Sequence, residues 1–221
     1  MGKKTILKPI HRKFLEAVNK NKSITKKYYW TGGTVLSEFY LHHRDSEDID
    51  LFIENEEVNL SPIITFMNKF ADQSKAVGLA HTTFLGLESF QIKYKNFLFK
   101  VDFNYYPFPR IERGRKWSNI EIDSLLDIAV NKVHTIYTKP RARDYVDLYY
   151  IFNTQNYSLD YLIKLAKAKF DWHIDPIQLG HKFAFVLKKK DFPKMFIPFD
   201  QKKMEEFFLH LAKSLEKEIF K

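Results

Sequence analysis

Asp48 and Asp50 stand one residue apart in SEDIDLFIE, and Asp102 is the lone acid of FLFKVDFNYY. Aspartate is disfavoured in strands, so acids inside two runs rich in aromatic and branched residues ask for a reason. Strand side chains alternate between faces. Asp48 and Asp50 therefore share one side, while Ile49, Leu51 and Ile53 take the other. Two crowded carboxylates repel each other. A hard divalent cation relieves that repulsion, and oxygen ligands select Mg²⁺, or Mn²⁺ in its place. In the second run Phe97, Phe99, Val101, Phe103 and Tyr105 fall on one face, with Lys100, Asp102 and Asn104 on the other. If the two strands are neighbours, Asp102 joins the pair. Three carboxylates can hold two ions, which activate an attacking hydroxyl and steady a leaving pyrophosphate. The plain alternative is a set of solvated acids on a polar strand face.

Upstream, TGGT places Gly32, Gly33 and Thr34 between the aromatic run KKYYW (26–30) and a helical pattern, TVLSEFYLHH (34–43). Strand, double glycine, hydroxyl and helix can form a phosphate cradle. Glycine lets the backbone approach an anion, and a helix start presents free N–H groups and a positive dipole end. The same dipeptide also serves as a plain chain reversal. Further on, Lys132 interrupts the apolar face of IDSLLDIAVNKVHTIYT (122–138), where it can reach a triphosphate across a cleft or snorkel at the edge of that face. Asp144 and Asp147 lie three apart and share a helical face. Arg141 and Arg143 can pair with them or act on a ligand directly.

These groups need elements to position them. Helices are expected at 7–21, 34–43, 61–78, 122–138, 141–153, 158–170 and 201–221, and strands at 26–30, 46–54 and within 81–108. PFPRIERGRKWSN (107–119), with two prolines, a glycine and a charge run, reads as a linker. The expected fold class is α+β. A nucleotide-binding domain with a mixed sheet flanked by helices (1–115) precedes a helical domain (116–221).

The chain is 221 residues long and 45% hydrophobic, with 21 Phe and 12 Tyr, enough for a substantial core. Its net charge of +9 favours an anionic partner such as nucleic acid. Cysteine is absent, which excludes disulfides, thiol catalysis and Cys-ligated zinc and fits a reducing cytoplasm. No run of about 18 apolar residues occurs, so no transmembrane span or membrane partner is expected. The basic start, MGKKTILKPIHRKF, has no apolar core and does not read as a secretory signal. No His-x-x-x-His pair, serine nucleophile elbow or Walker A sequence is present, which argues against zinc, hydrolase and P-loop classes. His43 reads as a structural residue that fixes the loop before the first acidic strand.

The string GGTVLSEFYLHHRDSEDIDLF resembles the AbiEii/AbiGii toxins of the DNA polymerase β-type nucleotidyltransferase superfamily. His43, Arg44, Ser46, Asp48, Ile49, Asp50, Leu51 and Phe52 carry the likeness, and KVDFNYYPFP resembles the family's third-carboxylate strand. In LLDIAVNKVHTIYTKPRARDYVDLYYI (125–151), Ala129, Lys132, Arg143, Asp144, Asp147 and Leu148 match a second block. Lys139 departs from it, because the family often has Arg there, which keeps the charge but loses bidentate phosphate geometry.

The resemblance implies a nucleotidyltransferase fold and transfer of a nucleoside monophosphate from an NTP to an acceptor hydroxyl. It implies metal ligands at Asp48, Asp50 and Asp102, with Lys132 and Asp144 also catalytic. Nucleotide contacts would come from Gly32, Gly33, Thr34, Arg44, Ser46, Lys132 and Arg143. It further implies a cytoplasmic toxin of a toxin–antitoxin or phage-defence pair, a cognate antitoxin, and RNA such as the tRNA 3′ end as acceptor. A binding module for NTP or RNA without turnover, and an enzyme acting on a protein hydroxyl, stand as alternatives. Arg110, Arg113, Arg115, Lys116, Lys139, Arg141, Arg143 and Lys188–Lys190 form the basic series expected to guide an RNA.

Overall fold

The computed structural model describes residues 5–216. The first four residues of the basic start and the last five of the helix expected at 201–221 lie outside the described residues. The chain divides into two compact units. The first comprises Met1–Tyr40, Ser46–Pro109 and Arg113–Ser124, and the second Leu41–Asp45, Arg110–Glu112 and Leu125–Lys221.

The first unit is built on a mixed seven-stranded sheet. Its strands are β1 (Tyr29–Thr31), β2 (Ile49–Ile53), β3 (Gly78–Phe84), β4 (Leu87–Lys93), β5 (Leu98–Tyr105), β6 (Lys116–Trp117) and β7 (Ile120–Ile122), in the order β3-β4-β5-β2-β1-β7-β6. The β2–β5 and β1–β7 pairs are parallel, and the others are antiparallel. Period-two burial explains the layering. Ile49, Leu51, Phe90, Ile92, Phe99, Val101 and Phe103 are all buried, and the register puts them on one face. Helices α1 (Pro9–Lys20) and α4 (Leu60–Gln73) cover that face. Pro9 suits the first turn of α1, where its missing N–H costs nothing. Phe14 of α1 meets Phe70 of α4 and Phe99 of β5 edge-on, at 5.1 and 5.5 Å between centroids. A buried aromatic of this kind contributes about 1.5–3 kcal/mol through burial, and edge-to-face pairing adds to it.

A short helix, α2 (Lys22–Thr25), precedes β1, and α3 (Gly32–Val35) follows it. The helix expected over 34–43 runs on from α3 as a widened π-helical turn, Leu36–Leu41, and His42 then reverses the chain at a positive φ of 54°. The stretch read as linker carries β6, and β7 follows directly after it, the two joined by a turn in which Ser118 has φ 56°. These strands are two and three residues long, too short to show alternation.

The second unit is helical: α5 (Leu125–Thr138), α6 (Ala142–Thr154), α7 (Leu159–Phe170), α8 (Pro176–Ala184) and α9 (Gln201–Ser214). Side-chain caps start three of them. Ser158 accepts from the Tyr161 N–H, Asp175 from Gln178 and Asp200 from Lys203. Sequence periodicity does not anticipate α8, although Asp175 and Pro176 are a regular start signal. The core centres on Tyr145, Phe183 and Phe208, with Tyr145 edge-on to Phe208 at 5.0 Å. Segment Leu41–Asp45 belongs to this unit through backbone bonds. Asp45 N–H donates to the Lys194 carbonyl (2.8 Å), and Phe196 N–H to that of His43 (2.9 Å). Among the described residues no helix is long and apolar enough to cross a membrane.

Gly114 marks where backbone crowds backbone: a Cβ there would lie 1.9 Å from the Ile122 carbonyl oxygen and 2.9 Å from the Asp123 carbonyl carbon. Gly114→Ala is therefore expected to destabilise the protein by about 1–3 kcal/mol, the usual scale of overpacking, read as a lower urea midpoint with an unchanged slope. An unchanged midpoint would show that β7 can shift freely.

Candidate active site

Strand register assembles a polar row across the face of the first unit's sheet opposite its apolar one. Ser89 on β4 pairs with Asp102 on β5, Asp102 with Asp50 on β2, and Asp50 with Thr31 on β1. Directly paired residues project to the same side, so the two carboxylates are lateral neighbours. Asp102 is nearly buried. Its Oδ1 accepts from Ser89 Oγ (2.7 Å), and its Oδ2 from Lys100 Nζ (2.5 Å). Thr31 Oγ1 donates to Asp123 Oδ2 at 2.6 Å, and Asp123 N–H donates to the Trp30 carbonyl at 2.8 Å. Asp123 thus extends the row by one residue that the sequence did not single out. It follows a three-residue strand whose pairing with β1 is legible only in three dimensions.

Gly32 closes tightly on this row. Its φ is +83°, in the left-handed region that favours glycine, and a Cβ would stand 2.2 Å from Asp50 Oδ2. The backbone of the Gly-Gly turn is thereby held against a carboxylate, in space that any other residue would fill. Thr34 is fully buried. Its hydroxyl donates to the Asp48 carbonyl (2.6 Å) and lies 2.9 Å from Ser46 Oγ, pinning the chain as it enters β2. Asp48 precedes the strand and Asp50 lies within it. Among the described residues no three or more His, Cys, Asp or Glu side chains are gathered closely enough to hold a metal ion. Asp50 and Asp102 are in register, and Asp48 stands at the strand entry. The side-chain donors of this carboxylate pair are oxygens, the type of ligand that hard cations take.

Lys132, Asp144 and Arg44 meet in the second unit around a residue outside the predicted site, Asp147. Arg44 is bidentate to it, through Nε (2.6 Å) and Nη2 (2.8 Å). His43 Nε2 lies 2.8 Å from Asp147 Oδ1, and Lys132 Nζ lies 2.6 Å from Oδ2. Lys132 also donates to Asp144 Oδ1 (2.8 Å), whose Oδ2 accepts from the Arg141 N–H (3.0 Å) and Nε (3.2 Å). His43, Arg44, Asp144 and Asp147 are all but inaccessible, and Lys132 is 9% exposed. Arg143 is half-buried and takes no part in the cluster.

Burial acts to raise the pKa of Asp147, but the charges of Arg44 and Lys132, with hydrogen bonds from Arg44 and His43, hold it well below the usual carboxylate range. Burial likewise opposes ionisation of Asp144, and Lys132 and Arg141 overcome it. Burial lowers His43, the bond to Asp147 only partly offsetting it. His43 is accordingly neutral near pH 7 and serves as an Nε2–H donor. Three cations then face two carboxylates, so the cluster carries a net positive charge.

Over residues 13–218 the chain matches the family described as nucleotidyl transferase AbiEii toxin, type IV toxin–antitoxin system. The chain belongs to the AbiEii family. It is thus a nucleotidyltransferase of the toxin–antitoxin kind. Two Helicobacter pylori crystal structures are similar in fold. JHP933 aligns with a TM-score of 0.61 at 15% identity, covering 95% of this chain and 90% of its own. A candidate nucleotidyltransferase aligns with a TM-score of 0.61 at 16% identity, covering 95% and 92%. No curated protein is a significant sequence match.

Two measurements test the AbiEii chain's buried cluster. Asp147→Asn leaves Arg44 and Lys132 without their shared counter-charge and is expected to cost about 3–5 kcal/mol, the scale for breaking a buried pair. Because the folded pKa of Asp147 is depressed, its stabilisation is present above the unfolded value near 3.8 and is lost as pH falls through the folded pKa. The variant should therefore lose less stability than wild type between pH 4 and strong acid. A parallel acid limb in the two proteins would contradict this. Lys132→Met keeps the stem but strands two buried carboxylates, so its urea midpoint should fall. A normal midpoint with weakened NTP binding would make Lys132 a phosphate ligand without a structural role.

Proposed function

We propose that this AbiEii protein transfers a nucleoside monophosphate from an NTP to a hydroxyl of RNA, with the tRNA 3′ end the acceptor to test first, in a Mg²⁺-dependent reaction. The observation that carries this reading is the lateral pairing of Asp50 and Asp102 beside the Gly32 turn. Asp50 and Asp102, with Asp48 at the strand entry, would hold the metal. When bound, it supplies charge neutralisation at the phosphates and lowers the pKa of the attacking hydroxyl.

The chain's own residues account for the remainder. Backbone N–H groups of Gly32 and Gly33 orient phosphate oxygens. The acceptor oxygen attacks the α-phosphorus, the bond to the β-phosphate bridge breaks, and pyrophosphate leaves. Asp102, oriented by Ser89, takes the hydroxyl proton. Within the second unit, Asp144 keeps Lys132 in place. Positioning and electrostatics supply most of the catalysis. A net charge of +9 supports an RNA acceptor. The family supports a cognate antitoxin and action in the cytoplasm.

The test is incubation with Mg²⁺ and each α-labelled NTP, with total RNA and total protein supplied separately. Label should enter RNA. Label in protein alone would make the acceptor a protein hydroxyl, and NTP binding without label in either fraction would overturn the transfer reaction proposed here. Asp50→Asn should reduce transfer at least about a hundredfold, the scale for removing a key electrostatic group. Near-normal transfer by that variant would exclude Asp50 from the metal site.

A further inference from the structure

We infer that two adjoining grooves on the first unit form a docking surface for the phosphodiester backbone of the acceptor RNA, an inference that rests on the RNA reading above. One groove, of about 890 Å³, runs between the end of α1, α2 and α4 and is edged by Lys20, Lys22 and Lys69. The other, of about 400 Å³, lies between α2 and the β6–β7 hairpin and is edged by Lys22, Lys26 and Lys116. Lys22 belongs to both, so the five lysines border one continuous surface.

All five are exposed, and none forms an ion pair among the described residues. That separates them from other cations of the same unit. Lys8 is paired with Glu47, Lys27 with Glu56, and Arg113 lies 3.9 Å from Glu121. Arg115 is also engaged, lying over the Phe39 ring at 4.9 Å and donating to the Phe39 carbonyl. The basic series expected from the sequence therefore includes cations already in use, whereas the five groove lysines keep their charge for a partner. Among the described residues, Glu121 is the one acid on either lining.

The surface is also firmly built. Asn119 in the β6–β7 turn bonds both the side chain and the carbonyl of Asn19 on α1, and Asn21 caps α2 through the Ser23 and Ile24 N–H groups. These bonds fix Lys20, Lys22, Lys26 and Lys116 on a common frame. Thr25 and the second N–H of the Asn119 amide add neutral donors among the lysines, groups suited to phosphate and sugar oxygens. A concave, polar, unpaired cationic surface fits a polyanion that can follow a groove.

The experiment titrates the full chain into labelled total tRNA over a range of KCl concentrations. It compares wild type with a variant carrying Lys→Gln at all five positions and another carrying Lys→Arg. The Gln variant should bind at least about tenfold more weakly at low salt. Its log–log salt slope should shrink by about 3.5 to 4.5 units if all five lysines contact phosphates, since each lost contact removes roughly 0.7–0.9. The Arg variant should bind like wild type. Unchanged thermal midpoint and Mg²⁺–NTP binding in both variants would confirm that folding and the nucleotide site are intact. Wild-type tRNA binding that the Gln variant retains would overturn the docking surface and leave the RNA acceptor standing. Loss of poly-glutamate binding with tRNA binding unchanged would assign the grooves to an acidic protein instead. A wild-type protein that neither binds nor labels tRNA would overturn the RNA reading itself.

Discussion

The parallel register between β2 and β5 is the constraint on which the site depends. It sets Ile49 beside Val101 and Asp50 beside Asp102. A slip of one residue would turn Asp50 and its neighbours to opposite faces, burying charge and exposing Leu51. Two acids side by side on adjacent strands are electrostatically unfavourable. The apolar face overrules this cost, because Ile49, Leu51, Val101 and Phe103 are completely buried beneath α1 and α4. The packing that stabilises the sheet therefore also holds its carboxylates together. Gly32 completes the arrangement by leaving out the one atom that would collide with Asp50.

The second unit meets a different electrostatic problem. It buries Arg44, Asp144 and Asp147 with little or no access to water. Such charges persist only when each is paired and its hydrogen-bonding capacity is filled. Asp147 accepts from three side chains, and the planar Arg44 fork suits its two oxygens. A lysine at position 44 could not reproduce that fork. The lowered pKa values of Asp144 and Asp147 show the balance: attraction from the cations exceeds the penalty of burial.

How far the sequence anticipates these features depends on whether the signal is local. Alternation in IDLFI and FLFKVDFNY predicts both strands and the faces of their acids, and the α+β class follows from the change of periodicity after residue 120. The place of His43 before the acidic strand suggests a structural role, and the structure buries it against Asp147. Non-local pairing is not legible in this way. Strands β6 and β7 lack enough residues to alternate, and Asp123 acquires a partner in Thr31 only because β7 lies beside β1. A run of charge likewise says nothing of which cations are already paired. Arg113 and Arg115 stand out in the sequence yet have neighbours, whereas the unpaired lysines come from four separate elements.

Asp144 and Asp147 show the same limit within a single helix. Their spacing places both carboxylates on one side of α6, and nothing local distinguishes them. Tertiary contacts do. Asp144 bonds back to the start of its own helix through Arg141, so part of its role is that of a helix-start acid that satisfies a free N–H. Asp147 lies one turn further in, where the first-turn N–H groups are out of reach, and its partners come from distant segments at 43–44 and 132. Lys132 bridges the two acids and makes them one electrostatic unit. Substituting either acid must therefore disturb the other through Lys132, and their effects on stability should be non-additive.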